Sequence, residues 1–123
     1  MKFNHILLYV SDLNKTASFY EKLGFKSTEK KDNYIVAKLG DFELHCYDQT
    51  KVFFKQDVDR FKGAGVFIYI LVDNVDEKYS ELVTQGLNPS ALPKDFEWGN
   101  REFVIKDPDG YKLVFYNKIA EQI

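Results

Sequence analysis

The sequence repeats its own pattern at an offset of 62 residues, so that residues 9–13 return as residues 71–75 and Gly24 returns as Gly86. The same offset places His5 opposite Phe67. Repeated segments of this kind are copies of one structural unit. At 123 residues the chain has room for one domain, or for two small units that share a core. We predict a single domain over 1–123, with a first module at about 1–48, a linker at about 49–63 and a second module at about 64–118.

The first module reads as one strand, one helix and three further strands. The apolar run at residues 3–10 predicts a buried strand. Ser11 or Asp12 can cap the helix that follows, and Gly24 stands where a left-handed residue would end it. Short strands are predicted at 25–30, 33–39 and 42–47, separated by turn residues.

The second module repeats this order. A strand is predicted at 66–72, followed by a helix at 75–85 with Asp73 or Asn74 as its cap. Strands at 101–106 and 111–117 flank the turn at 107–110, and a middle strand falls within 92–98. The predicted fold class is α+β, with two βαβββ modules that form curved mixed sheets. Helices lie on the outer side, and the concave side is left as a cleft.

Charge and cysteine content narrow the functional classes. The net charge is -2 and the isoelectric point is near 5.7, which argues against a nucleic-acid or anionic-membrane surface. Cys46 is the single cysteine, so no disulfide can form within the chain. The N-terminus lacks the apolar segment of a signal peptide, and no apolar run reaches the roughly 20 residues that span a bilayer. We therefore expect a cytoplasmic protein.

Polar and aromatic side chains alternate with apolar ones along several predicted strands. Side chains two residues apart share one face of a sheet. One such face therefore carries the following side chains: His5, Glu43, His45, Tyr47, Phe67, Tyr69 and Tyr116. Aromatic residues make up 16% of the chain, and an aromatic cleft with a few polar groups suits a small molecule. Cys46 falls on the opposite face from His45, which argues against a Cys–His dyad.

Several motifs together resemble the vicinal oxygen chelate superfamily, the group of glyoxalases, bleomycin-resistance proteins and extradiol dioxygenases. They are His5 on the first strand, the segments 10–13, 19–20 and 23–25, the Trp-Gly-Asn-Arg-Glu-Phe run at 98–103 and the Asp-Pro-Asp-Gly-Tyr run at 107–111. The resemblance covers essentially the whole chain. It implies paired βαβββ modules, a homodimer with two clefts, and in metal-dependent members four metal ligands in each cleft.

The resemblance places the four ligand positions on His5, Glu43, Phe67 and Val114. Phe and Val cannot donate to a metal, and a catalytic metal needs at least three protein ligands beside an open position. We therefore expect no metal and no cofactor, with His5 and Glu43 as residual family positions. His45 lies further along the strand that carries Glu43, outside the family geometry.

The sequence favours a protein of the bleomycin-resistance type, a homodimer that binds a hydrophobic or aromatic small molecule and does not act as an enzyme. An acidic group such as Glu43 favours a cationic ligand. Trp98 borders the cleft in the resemblance and can stack on a planar or cationic ligand, or pack under its loop. Of Arg101 and Glu102 only one can face the cleft. The predicted ligand-binding residues are His5, Glu43, His45, Tyr47, Phe67, Tyr69, Trp98, Arg101 and Tyr116.

Two alternatives stay open at this stage. One is a metal-dependent enzyme of the glyoxalase, thiol-transferase or dioxygenase type that uses His5, Glu43 and a third ligand. The other is a regulatory or interaction module whose cleft is filled by its own aromatic side chains.

Overall fold

The computed structural model describes residues 1–52 and 58–119, so residues 53–57 of the predicted linker and residues 120–123 lie outside the described residues. The described chain divides into two compact units, Met1–Lys62 and Gly63–Ile123. Each unit holds a four-stranded sheet and a helix of ten or eleven residues. Within the described ranges, no helix is long and apolar enough to cross a membrane.

The first unit contains β1 (Ile6–Val10), α1 (Leu13–Leu23), β2 (Lys26–Lys30), β3 (Tyr34–Leu39), β4 (Phe42–Asp48) and the short helix α2 (Val58–Phe61). The sheet order is β1-β4-β3-β2, in which β1 runs parallel to β4 and the remaining pairs are antiparallel. Helix α1 packs against β2, β3 and β4. It covers one face of the sheet, where the buried side chains Leu8, Val10, Leu44 and Cys46 lie.

Both ends of α1 follow from local chemistry. The Asp12 carboxylate accepts the backbone N–H groups of Asn14 and Lys15 and so satisfies two of the donors left over in the first turn. Gly24 ends the helix with φ of 115°, a conformation that glycine adopts without steric cost. Of the two caps that the sequence left open, Asp12 takes the position.

The second unit contains β5 (Phe67–Leu71), α3 (Val75–Thr84), β6 (Lys94–Asp95), β7 (Asn100–Lys106) and β8 (Lys112–Lys118). Its sheet order, β5-β8-β7-β6, repeats that of the first unit, again with one parallel pair, β5 with β8. Asn74 caps α3 by accepting the backbone N–H of Glu77. Helix α3 packs on β7 and β8, and the side chains buried on that face of the sheet include Phe103, Ile105, Leu113 and Phe115.

The predicted α+β class with two βαβββ units is confirmed. The boundaries differ at particular points. Strand β1 begins at Ile6, three residues after the predicted start, because its hydrogen-bonded register with β4 begins at the Ile6–Leu44 pair. The middle strand of the second unit is reduced to two residues, since β6 meets β7 only at Lys94 and Asp95, directly after Pro93. The prediction of a single domain over the whole chain stays a prediction.

Candidate functional site

Each sheet has a second face that its helix does not cover, and we call these the open faces of the first and second unit. On the first unit this face carries Leu7 and Tyr9 from β1, together with Glu43, His45 and Tyr47 from β4. Leu7 is exposed and the other four are half-buried. The alternation that the sequence predicted for His5, Glu43, His45 and Tyr47 is therefore present on one open face.

Three of these side chains form a contact cluster. The rings of His5 and His45 stack with their centroids 3.6 Å apart and an angle of 8° between their planes. His45 Nε2 donates a hydrogen bond to Glu43 Oε1 at 2.9 Å, and His5 Nδ1 donates to Asn4 Oδ1 at 2.6 Å. The His45 hydrogen bond lowers the pKa of the Glu43 carboxyl against an opposing effect of burial, and the charges of His45, Lys38 and His5 lower this pKa further. These contacts thus favour the ionised form of Glu43 relative to an ordinary glutamate.

A row of tyrosines crosses the same open face. Tyr47 lies opposite Tyr9 on one side and Tyr34 on the other. The rings of Tyr34 and Tyr47 stack at 5.0 Å, and the Tyr34 hydroxyl donates to Glu29 at 2.6 Å, which raises the pKa of that hydroxyl. The sequence singled out Tyr47 alone. The spacing of Tyr9 from His5 already places it on this face, although it was not predicted as a ligand-binding residue, whereas Tyr34 needed the strand register.

The open face of the second unit is more apolar and more exposed. Phe67, Tyr69 and Leu71 alternate along β5 and are each more than half exposed. Tyr116 on β8 meets Tyr69 edge to face at 5.5 Å. The structure thus brings the predicted residues Phe67, Tyr69 and Tyr116 together on one face.

Glu102 on β7 is the polar centre of this second open face. It is only 4% exposed, and its carboxylate accepts hydrogen bonds from Trp98 Nε1 at 2.9 Å, from Asn100 Nδ2 at 3.0 Å and from the Tyr69 hydroxyl at 3.4 Å. Burial raises the pKa of Tyr69, and the neighbouring charge of Glu102 and the hydrogen bond to it raise this pKa further. The Trp98 ring stacks on Phe96 at 4.5 Å with 14° between the planes and remains 45% exposed.

Arg101 lies away from this cluster. As its neighbour Glu102 occupies the open face, Arg101 points to the helix-covered side, where it pairs with Asp76 at 3.1 Å and with Asp95 at 2.9 Å. The structure therefore does not bring Arg101 together with the other predicted ligand-binding residues. Glu102, and not Arg101, lies on the open face. In the sequence, the features that point to Glu102 are its spacing of four residues from Trp98 and of two residues from Asn100.

The strand registers also bear on the family positions. Val114 pairs with Tyr69 in the second unit. By the offset of 62 residues, Tyr69 of the second unit is equivalent to Leu7 of the first unit. Leu7 pairs with His45. In these registers His45 therefore occupies the position that corresponds to Val114. The placement of Glu43 as a residual family position came from the family resemblance and stays a prediction.

The side chains at these positions do not fit a family-type metal ion. His5 and His45 are stacked face to face, and a nitrogen of each is already engaged in a hydrogen bond. Phe67 and Val114 offer no donor atom at all. In the ranges 1–52 and 58–119, no group of three or more His, Cys, Asp or Glu side chains is placed to hold a metal.

The fold and its open faces define a class of small α+β proteins, built from two βαβββ units with one helix-covered and one open face each. The chain belongs to the Glyoxalase/Bleomycin resistance protein/Dioxygenase superfamily, whose family model matches residues 2–115. Membership, first indicated by scattered sequence motifs, is thereby confirmed.

The relatives of this chain include bleomycin resistance proteins and an enzyme. The chain is 29% identical to a bleomycin resistance protein of Geobacillus stearothermophilus, over 91% of this chain and 93% of that protein. It is 28% identical to a lactoylglutathione lyase of Schizosaccharomyces pombe, over 89% of this chain but only 43% of the enzyme. A solved bleomycin-binding protein in complex with bleomycin shares the fold, with a TM-score of 0.66 and 22% identity over 96% of this chain and 99% of that one.

Proposed function

We propose that this protein binds a small, planar hydrophobic or aromatic molecule on its open sheet faces and sequesters it without chemical change. The observation that carries the proposal is the exposed aromatic surface of the second unit, in which Trp98 is stacked on Phe96 and shares the carboxylate of Glu102 with Tyr69. Indole and phenyl rings stack on planar ligands in offset or edge-to-face geometry, and their flat faces tolerate many ring systems.

The magnitude of the available burial supports such a role. A planar ligand that buries roughly 200 Å² of apolar surface gains about 5 kcal/mol at about 25 cal/mol per Å². Losses of rotational freedom offset part of this gain, so polar contacts are needed for micromolar affinity. Each open face carries groups of this kind by itself: Glu43 and His45 on the first, and the Tyr69 hydroxyl on the second.

The relatives support sequestration over turnover. Bleomycin resistance proteins are similar to almost the full length of this chain, whereas the matched lyase is more than twice as long as the region it shares. The side chains at the family metal positions supply two imidazoles, a phenyl ring and an isopropyl group.

We further propose the homodimer that the resemblance implies, which sedimentation at micromolar concentration would detect.

The proposal is tested by isothermal titration of the protein with a panel containing bleomycin, planar aromatic cations and neutral planar aromatics. We expect at least one panel member to bind with micromolar affinity, to change Trp98 fluorescence and to be recovered unaltered. Trp98→Leu should weaken that binding about tenfold or more, because a stacking contact is worth about 1–3 kcal/mol.

Phe61→Leu is the matched control. Phe61 is an exposed aromatic side chain, 62% accessible, on the short helix α2 and on neither open face. Its replacement should leave binding within about twofold of the wild-type value. A panel without any binder, or equal losses in the two variants, would contradict the proposal.

A metal-dependent enzyme is the second candidate, favoured by the cluster of His5, His45 and Glu43. The poor fit of these side chains to a metal ion and the inert side chains at Phe67 and Val114 place it behind sequestration. Its distinguishing signature is stoichiometric bound metal.

A further inference from the structure

The second open face contains a buried carboxylate that none of the described cationic side chains neutralises. Glu102 is 4% exposed. Of the ion pairs formed within residues 1–52 and 58–119, none includes Glu102. Its partners are three neutral donors, the indole N–H of Trp98, the amide of Asn100 and the hydroxyl of Tyr69. Hydrogen bonds reduce the cost of burying the carboxylate, but its negative charge remains.

Two of these donors are aromatic rings. When an indole N–H or a phenol O–H donates to a carboxylate, the ring is polarised and electron density on its face increases. A ring with a more negative face attracts a cation more strongly. The rings of Trp98 and Tyr69, both about half exposed, therefore present electron-rich surfaces with a negative charge behind them.

A cationic group already lies against this aromatic cluster. Lys94 on β6 is the strand partner of Glu102. Its Nζ lies 5.5 Å from the centroid of the Phe96 ring, which stacks on Trp98. The protein's own ammonium thus occupies the kind of position that an external cation would take at Trp98 and Tyr69.

We propose that Glu102 makes this face selective for planar organic cations over neutral molecules of the same shape, acting through the rings of Trp98 and Tyr69. This inference rests on the proposed function, whose ligand class it narrows. Because Glu102 is buried, the cation contacts the ring faces and feels the carboxylate charge through them, without a direct ion pair. Glu102 is therefore a specificity-determining residue that need not touch the ligand.

The test compares N-methylquinolinium with its neutral isostere 1-methylnaphthalene. Trp98 is the only tryptophan, so its indole N–H gives a single, unambiguous signal in a proton–nitrogen correlation spectrum. Titration of that signal measures both affinities at the same surface. We expect wild-type protein to bind the cation about tenfold more tightly than the isostere, in the range of cation–π attraction strengthened by burial.

Glu102→Gln removes the charge and keeps an acceptor for the indole. It should abolish most of the preference for N-methylquinolinium and leave the affinity for 1-methylnaphthalene within about twofold. Glu97→Gln is the matched control, because Glu97 is an exposed carboxylate in the loop that carries Trp98 and its loss changes the net charge equally. The preference should persist in Glu97→Gln and in Glu102→Asp, which retains the charge.

The outcomes separate the two proposals. Equal affinity for the two probes in the wild-type protein overturns the inference and leaves the proposed function standing. A cation preference that survives in Glu102→Gln, or that is lost equally in Glu97→Gln, also overturns it. If neither probe moves the Trp98 signal, the inference is overturned, and the proposed function is decided separately by the panel titration. Since the wild-type comparison needs no variant, failure of Glu102→Gln to fold would not remove the test.

Discussion

Glu43 shows how a single side chain on the open face of the first unit depends on its neighbours. Its carboxylate accepts a hydrogen bond from His45, which is itself stacked on His5. The hydrogen bond is the largest cause of the lowered pKa of Glu43, and the charge of His5 is the smallest. A carboxyl group whose pKa is lowered on folding stabilises the folded state at pH values above its ordinary pKa of 4.5. This contribution is lost as the pH falls through the lowered pKa of the folded state.

His45→Phe should therefore raise the pKa of Glu43 toward 4.5, because the donor to the carboxylate is gone. Carbon-13 NMR of the Glu43 carboxyl across pH 2–7 measures the change, with the range chosen to cover ordinary carboxyl titration. His5→Phe is the control and should raise the pKa less. An unchanged pKa in His45→Phe, or equal changes in the two variants, would contradict this account.

The residue scale also shows what the sequence could not decide. Alternation along β7 established that only one of Arg101 and Glu102 could lie on the open face. The spacing along a strand does not indicate which of its two faces a helix covers. That choice depends on Asp76 and Asp95, which come from α3 and β6 and hold Arg101 on the helix side. His45 was set aside for a related reason, since its correspondence to Val114 emerges only from hydrogen-bonded registers.

At the scale of elements, most of the architecture could be predicted. The signals that define these elements act locally, within a few residues of chain. They are the helix ends at Gly24 and Gly86, the caps at Asp12 and Asn74, and the turn at 107–110. Strand β6 was the least predictable element because its two residues pair only through β7. An edge strand of this length has little sequence signal of its own.

The start of the second unit makes a sharp prediction about two glycines. Gly63 and Gly65 both have positive φ, 84° and 76°. A Cβ on Gly63 would overlap the carbonyl oxygen of Gly110 and lie 2.7 Å from its carbonyl carbon, whereas a Cβ on Gly65 would meet nothing within 4 Å. Gly65→Ala should lower the free energy of unfolding by about 1–2 kcal/mol, the ordinary cost of a left-handed alanine.

Gly63→Ala should lower the free energy of unfolding by a larger amount, about 3 kcal/mol or more, because the turn at 107–110 must move as well. Urea unfolding of the two variants gives both values. Equal losses would mean that the close approach of Gly63 to Gly110 does not contribute to stability.

At the scale of the whole molecule, the repeat has produced two units of one architecture with different chemistry. The first open face holds imidazole, carboxylate and phenol groups, and the second holds exposed aromatic rings around a buried carboxylate. The pairing of His5 with Phe67 and of His45 with Val114 places metal-competent side chains on the first unit alone. Three protein ligands are the usual minimum for a catalytic metal.

Metal analysis of the purified protein should accordingly find well below one Zn, Ni, Fe or Mn ion per chain. Incubation with each metal followed by desalting should leave that result unchanged, because His5 and His45 alone cannot complete a coordination shell. Stoichiometric metal that is lost in both His5→Ala and His45→Ala would contradict this expectation and favour the enzyme.

The central claim is that a planar aromatic molecule binds on the open sheet faces, and amide chemical-shift mapping during titration with the tightest panel ligand tests it most directly. The account predicts shifts at the Trp98 indole N–H and along β5, β7 and β8, with little change in α1 or α3. Shifts confined to the helices, or to the cleft of about 440 Å³ beside the start of α1 that Ser11, Asn14 and Lys31 line, would contradict it.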